Sequence, residues 1–184
     1  VELAWGALKE LIDTGLDDAQ VEAIRKTLLA TPGVRGLHEL RTRRMAHQAL
    51  VDAHVLVDAR ISVSEGHRIA ESARAGVLRV PRDVLDVLVH IDPEDDLDPD
   101  LAAAGLPSRE ALLEELADLL VTLPTPEHVV LHYLGGRVEV EVFLAHDVFA
   151  DISALRSTEA ALAERIKDHP AIRSISLNFR IAPE

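Results

Sequence analysis

The sequence contains no cysteine, which excludes disulfides, thiolate metal ligands and cysteine nucleophiles. Aromatic residues make up only 3% of the chain, whereas apolar residues make up 48%, so a core has to be built from Leu, Val, Ile and Ala.

Basic residues are also scarce. The chain has 19 Lys and Arg but 32 Asp and Glu, which gives a net charge of −13. Nucleic-acid binding needs a basic surface, so nucleic acid is not expected as a partner. The single basic cluster, at 41–44, is predicted to form ion pairs, with a nucleic-acid patch as the alternative.

Long apolar runs are also missing. No stretch approaches the roughly 18 residues that a membrane helix requires, and no signal peptide is recognisable. The chain begins at Val1 without an initiator methionine, so we interpret it as part of a longer or processed protein. Apolar residues at helical spacing predict a first helix within 1–16. Trp5 in that helix is either a core anchor or a residue at a membrane interface.

The remaining sequence predicts the element order α-β-β-α-β twice. The first copy, at 17–95, is expected to have helices over 17–30 and 62–80 and strands over 34–43, 49–58 and 84–91. An acidic, proline-bearing linker follows at 96–107. The second copy, at 108–184, is expected to have helices over 108–123 and 152–169 and strands over 127–134, 137–145 and 172–181. Helices on one face of a small, mainly antiparallel sheet form an α+β fold, so we predict two tandem ferredoxin-like (metallochaperone-like) sandwiches.

Five residues of the first copy have side chains that bind metals. His90 and Asp92 are two positions apart and therefore share one face of the last strand. His67 falls in the first turn of the second helix, and His38 and His54 lie on adjacent hairpin strands. Nitrogen and oxygen donors in this mixture suit zinc and neighbouring divalent metals, and such binding should weaken as pH falls through the histidine range. The alternative is that each histidine is an ordinary surface residue.

Short matches indicate that the two copies arose by duplication, and they give an alignment of the metal-binding positions. Leu37-His38 recurs as Leu131-His132, which places His132 opposite His38. The residues that correspond to His54, His67, His90 and Asp92 are predicted to be roughly Val142, Leu155 or Arg156, Arg180 and Ala182. Because arginine has no lone pair for a metal and most of the other residues are apolar, the second copy is expected to lack the site.

Other histidines give a weaker pattern. His47 is predicted to face solvent in the hairpin loop of the first copy. The second copy offers no compelling ligand spacing, so a second metal site is not expected there. Its histidines are His128, His132, His146 and His169.

Three segments resemble the cytoplasmic C-terminal domain of the cation diffusion facilitators, which export zinc, iron and manganese. They are the strand Gly36-Leu37-His38-Glu39-Leu40-Arg41-Thr42-Arg43, the helix start Gly66-His67-Arg68-Ile69-Ala70-Glu71, and the strand end His90-Ile91-Asp92-Pro93. They occur in the family's order, and the resemblance covers about residues 1–95. The second α-β-β-α-β copy is a departure, since typical members end shortly after the Asp-Pro pair.

The resemblance implies a homodimer beneath an N-terminal transmembrane domain that this chain does not include, at the cytoplasmic face of the cell membrane. It implies that residues 1–16 form a membrane-proximal helix, in which Asp13 matches a carboxylate of a charge cluster. It also implies a divalent metal near the dimer contact, zinc foremost, with Fe²⁺, Mn²⁺ and Cd²⁺ as alternatives. The positions that match the family's ligands are His38, His54, His67, His90 and Asp92.

The function expected from this resemblance is that of a regulatory and dimerisation domain of a metal efflux transporter. An enzyme is not expected, because no nucleophile or substrate pocket is evident. The alternative function is a structural or small-molecule-sensing dimer domain in which the histidines are incidental.

Overall fold

The chain is represented by a computed structural model that describes residues 15–45, 47–80, 83–95, 105–145, 148 and 151–180. It divides into two compact units, Val1–Asp95 and Asp96–Glu184. Most of the helix predicted at 1–16, with Trp5 and Asp13, lies outside the described residues, as does most of the linker predicted at 96–107. Within the described residues, no helix is long and apolar enough to cross a membrane.

The first unit has the predicted order of elements. It consists of helix α1 (Asp18–Leu29), strands β1 (Gly36–Met45) and β2 (Gln48–Leu56), helix α2 (Val63–Val77) and strand β3 (Val84–Asp92). The sheet order is β1-β2-β3. Strand β2 pairs antiparallel with β1 and parallel with β3. The α+β prediction is confirmed, but the sheet is mixed rather than mainly antiparallel, because helix α2 connects two parallel neighbours.

Both helices of the first unit begin at residues that accept hydrogen bonds from the free N–H groups of the first turn. Asp17 caps α1 and forms a reciprocal capping box with Gln20. Ser62 caps α2, and its hydroxyl accepts a hydrogen bond from the backbone N–H of Glu65 at 3.1 Å. Helix α2 ends three residues earlier than predicted, at Val77.

The core of the first unit lies between the helices and one face of the sheet. Burial alternates along β2, so every second side chain points into this core. The side chains between them, including that of His54, lie on the other face of the sheet. The core is built from aliphatic side chains, as the composition requires: Leu16, Ile24, Leu28, Ala49, Val51, Ala53, Val55, Ala73, Val77 and Val87.

The second unit repeats this architecture. It consists of helix α3 (Arg109–Leu119), strands β4 (His128–Leu134) and β5 (Arg137–Ala145), helix α4 (Ile152–Ile166) and strand β6 (Ile172–Arg180). Its sheet order is β4-β5-β6, with β5 antiparallel to β4 and parallel to β6. It has its own aliphatic core, centred on Leu112, Leu116, Val140 and Leu144.

The basic cluster at 41–44 forms ion pairs, as predicted. Arg41 pairs with Glu39, and Arg44 lies 3.0 Å from Asp83. Two of the three arginines in the cluster thus have acidic partners within the first unit.

Candidate metal centre

Three of the five predicted ligands meet at one end of the first sheet. His38 on β1, His54 on β2 and Asp92 at the end of β3 present ligand atoms that all lie within 4.8 Å of one another. The Asp92 Oδ2 atom lies 2.9 Å from His38 Nε2 and 2.9 Å from His54 Nδ1. One carboxylate oxygen is thus shared by two imidazole nitrogens.

The geometry depends on a β-bulge in β1. The pairing of β1 with β2 shifts between Leu37 and Glu39, so that His38 is an extra residue in the strand. In a regular strand, neighbouring side chains point to opposite faces, and a bulge redirects one of them. The bulge allows His38 to reach Asp92 while Glu39 lies directly across from His54.

The centre is shielded from solvent to different degrees. The side chain of His38 is 6% exposed, that of Asp92 16% and that of His54 24%. Burial alone would lower the pKa of His38, but its hydrogen bonds to Asp95 and Asp92 and their negative charges outweigh this effect. The pKa of His38 is therefore raised above the ordinary value of 6.5.

The imidazoles of His38 and His54 each face a second carboxylate besides Asp92. His38 Nδ1 lies 2.8 Å from Asp95 Oδ1, and His54 Nε2 lies 3.6 Å from Glu39 Oε2. Neither carboxylate was among the ligands predicted from sequence. Asp95 lies three residues after β3, at the end of the first copy and next to the predicted acidic linker.

The other two predicted ligands are not part of this cluster. His90 is exposed, and its ring stacks on that of His54 with centroids 4.2 Å apart and an interplanar angle of 11°. His67 is exposed and is the fifth residue of α2, just beyond its first turn. It lines a groove of about 370 Å³ whose apolar members include Ile61, Ile91 and Pro93.

The strand registers of the two units correct the alignment between the copies. In both hairpins two residues separate the last paired positions, Met45 and Gln48 in one and Leu134 and Arg137 in the other. His132 pairs with Glu139 as Arg43 pairs with Leu50, so the predicted match of His132 to His38 is wrong.

The same registers replace three of the predicted counterparts of the ligands. The counterpart of His54 in the second copy is Phe143 rather than Val142. The counterpart of His90 is Asn178 rather than Arg180, and the counterpart of Asp92 is Arg180 rather than Ala182. Two histidines of the first copy are thus represented in the second by side chains that seldom bind metals.

The histidines outside the cluster have other surroundings. His132 Nε2 lies 3.4 Å from Glu141, and His169 Nε2 lies 3.1 Å from Glu115. His169 Nδ1 also accepts a hydrogen bond from the backbone N–H of Ile172. His128 contacts the ring of Phe143, His47 is exposed in the hairpin turn, and His146 lies outside the described residues.

The donor set fits a divalent cation. Two imidazole nitrogens and a carboxylate oxygen are the ligands that zinc and its neighbours take in proteins. Donor atoms around one tetrahedral zinc lie roughly 3.3 Å apart, so spacings of 2.9 Å to Asp92 require only a small outward movement.

Residues 16–94 match the family model ZT_dimer, described as the cytoplasmic domain of cation efflux proteins. The match covers most of the first unit and less than half of the whole chain. The predicted resemblance is thereby confirmed for the first unit, which we call the cation efflux domain.

Curated relatives match the same half of the chain. Metal tolerance protein C1 of Arabidopsis thaliana is 38% identical over 87 residues, which are 47% of this chain and 18% of that protein. The cation-efflux pump FieF of Pectobacterium atrosepticum is 31% identical over 93 residues, which are 50% of this chain and 31% of that protein. The chain thus spans less than a third of the length of either relative.

Solved structures that match include a MamM CTD in a cadmium form. It is 26% identical, with a TM-score of 0.41, and the match covers 42% of this chain and 98% of that one.

Proposed function

We propose that the cation efflux domain is a regulatory and dimerisation module of a divalent-metal efflux transporter, and that it binds metal through His38, His54 and Asp92. The main support for this metal site is that one carboxylate oxygen, Oδ2 of Asp92, lies 2.9 Å from two imidazole nitrogens. Three donors on three different strands meet there, so one ion would link all strands of the sheet. Zinc suits this donor set best, with Fe²⁺, Mn²⁺ and Cd²⁺ as alternatives whose selection depends on availability.

The proposal includes no catalytic role. A bound metal would supply cross-linking and charge neutralisation. A metal that binds one arrangement of two protomers more tightly than another shifts the population toward the tighter one. This shift would in turn bias an N-terminal transmembrane domain attached to the module, which would lie at the cytoplasmic face of the membrane. Support comes from the family of residues 16–94 and from the names of the relatives, an efflux pump and a metal tolerance protein.

His90 and His67 take secondary places in this proposal. His90 already lies beside His54, so a rotation of its side chain would add a further nitrogen at the centre. His67 is not a member of the cluster within one chain, so we assign it to the metal centre of a second copy. The exposed, partly apolar groove around His67 and the dimer named in the family model support this assignment.

The dimer proposal is tested by sedimentation of the purified chain with and without zinc. Zinc should shift the equilibrium toward the dimer, because ligands from two copies would share metal. In a His67→Ala variant, the zinc-induced increase in the dimerisation constant should be about tenfold smaller than in the wild type, because each copy loses one ligand to the shared metal. His47→Ala serves as the control, because His47 is an exposed histidine in a hairpin turn of the same unit. A chain that stays monomeric with and without zinc would contradict the homodimer, whereas a dimer that does not respond to zinc would favour the structural or small-molecule-sensing alternative.

Zinc affinity should depend on pH, because a metal binds the neutral imidazole and must displace any proton. The raised pKa of His38 means that protons compete from a higher pH than at an ordinary histidine. The apparent affinity should therefore be highest above this pKa and should fall as pH drops through it. Competition titrations against a chelator between pH 8 and pH 6, corrected for the chelator's own protonation, measure this. An affinity that is constant over this range would contradict histidine ligation.

A further inference from the structure

The two imidazoles of the centre are each held between two carboxylates. Asp92 is shared and lies on the inner side of both rings. On the outer side, Asp95 faces His38 and Glu39 faces His54. The opposite ring nitrogens are used in the two cases, because His38 presents Nε2 to Asp92 whereas His54 presents Nδ1.

This arrangement bears on which nitrogen of each ring would bind a metal. A neutral imidazole carries one N–H donor and one lone pair. Asp92 and the outer residues are all carboxylates, which only accept hydrogen bonds, so a metal is what distinguishes the two nitrogens of His38. A cation bound by Asp92 would displace the proton on His38 Nε2, whereas Nδ1 would keep its N–H and donate it to Asp95. In His54 the nitrogen that faces Asp92 at 2.9 Å is Nδ1.

We propose that Asp95 is a positioning residue that holds the N–H of His38 on Nδ1, so that metal binds His38 through Nε2, as it binds His54 through the nitrogen facing Asp92, Nδ1. This inference rests on the proposed metal centre. Histidine ligands commonly donate their second N–H to a carboxylate, which orients the ring and strengthens the ligand.

The two outer carboxylates are not equivalent. Asp95 makes a hydrogen bond of 2.8 Å to His38, whereas Glu39 lies 3.6 Å from His54 and is also engaged by Arg41. Asp95 should therefore contribute more to metal affinity than Glu39. Because Asp95 is the last residue of the first unit, the orienting group of the centre stands where the chain leaves the cation efflux domain.

Zinc affinity of the full chain, measured by chelator competition, tests this role. Asp95→Ala should weaken binding by about tenfold to a hundredfold, and Asp95→Asn should weaken it less, since the amide oxygen still accepts the Nδ1–H bond. The control is Asp52→Ala, which removes an exposed carboxylate from β2 and should change affinity by less than about fivefold. An Asp95→Ala affinity equal to that of Asp52→Ala would overturn the inference.

A spectroscopic experiment separates this inference from the proposed function. In ¹⁵N-labelled protein loaded with ¹¹³Cd²⁺, one-bond coupling identifies the coordinated nitrogens. We expect coupling at His38 Nε2 and His54 Nδ1. Coupling at His38 Nδ1 would overturn the positioning role while leaving the metal centre intact. Cadmium bound without coupling to either histidine would overturn both.

Discussion

Replacing Asp92 by alanine should abolish most zinc binding, with a loss of affinity of a hundredfold or more. Asp92 provides the only negatively charged donor of the cluster, and its Oδ2 lies between the two imidazole nitrogens. Zinc binding to protein sites is worth roughly 10 kcal/mol, so the loss of one of three ligands costs about 3 kcal/mol, which is about a hundredfold in Kd. Isothermal titration calorimetry of the wild type and the variant measures the difference.

Asp86→Ala is the matched control for this prediction. Asp86 lies on the same strand, β3, and is exposed, and it pairs with Arg74 at 2.8 Å rather than with a histidine. Its removal takes the same charge from the same strand but leaves the three donors in place. Zinc affinity in Asp86→Ala should stay within about fivefold of the wild type. Equal losses in the two variants would show that zinc responds to general charge, which would contradict the assigned site.

Replacing Leu28 by alanine should destabilise the cation efflux domain by about 2–5 kcal/mol, because it leaves a cavity in a closely packed core. Leu28 is fully buried on α1 and belongs to the same core as Val51 and Val55 on β2. Chemical denaturation, followed by circular dichroism, measures the change in the free energy of unfolding. The unfolding of the first unit should move to lower denaturant concentration.

Leu29→Ala provides the comparison on the same turn of the helix. Leu29 is 47% exposed, so its truncation removes little buried surface and should cost less than about 1 kcal/mol. A similar loss in both variants would contradict the assignment of one face of α1 to the core.

The sequence predicted the order of the elements because periodicity and caps are local signals. Strand β1 was expected at 34–43 and lies at Gly36–Met45, and the helix expected from 62 begins at Val63, directly after its cap at Ser62. The mixed sheet was not predicted, since strand pairing is decided by how α2 returns the chain to the side of β2.

The metal centre was only partly predictable for a different reason. Spacing identified metal-binding residue types on the right elements, but the positions of side chains depend on the bulge at His38. A bulge changes the face of one residue without a clear sequence pattern. The orienting contact of Asp95 was missed for the same reason, because it depends on the path of the chain after β3.

The alignment of the two copies failed because it relied on short matches rather than on strand pairing. Leucine-histidine pairs recur in both hairpins, yet the registers make His132 the counterpart of Arg43 and not of His38. Side chains alternate between the faces of a sheet, so register has to be known before equivalent positions can be compared. The corrected alignment still shows two histidines of the first copy replaced by Phe143 and Asn178.

Anomalous scattering at the zinc absorption edge, measured on a crystal of the chain, locates bound zinc and tests the metal centre most directly. We expect an anomalous peak bounded by His38 Nε2, His54 Nδ1 and an oxygen of Asp92. A peak elsewhere in the chain, with these three side chains unligated in zinc-saturated crystals, would contradict it.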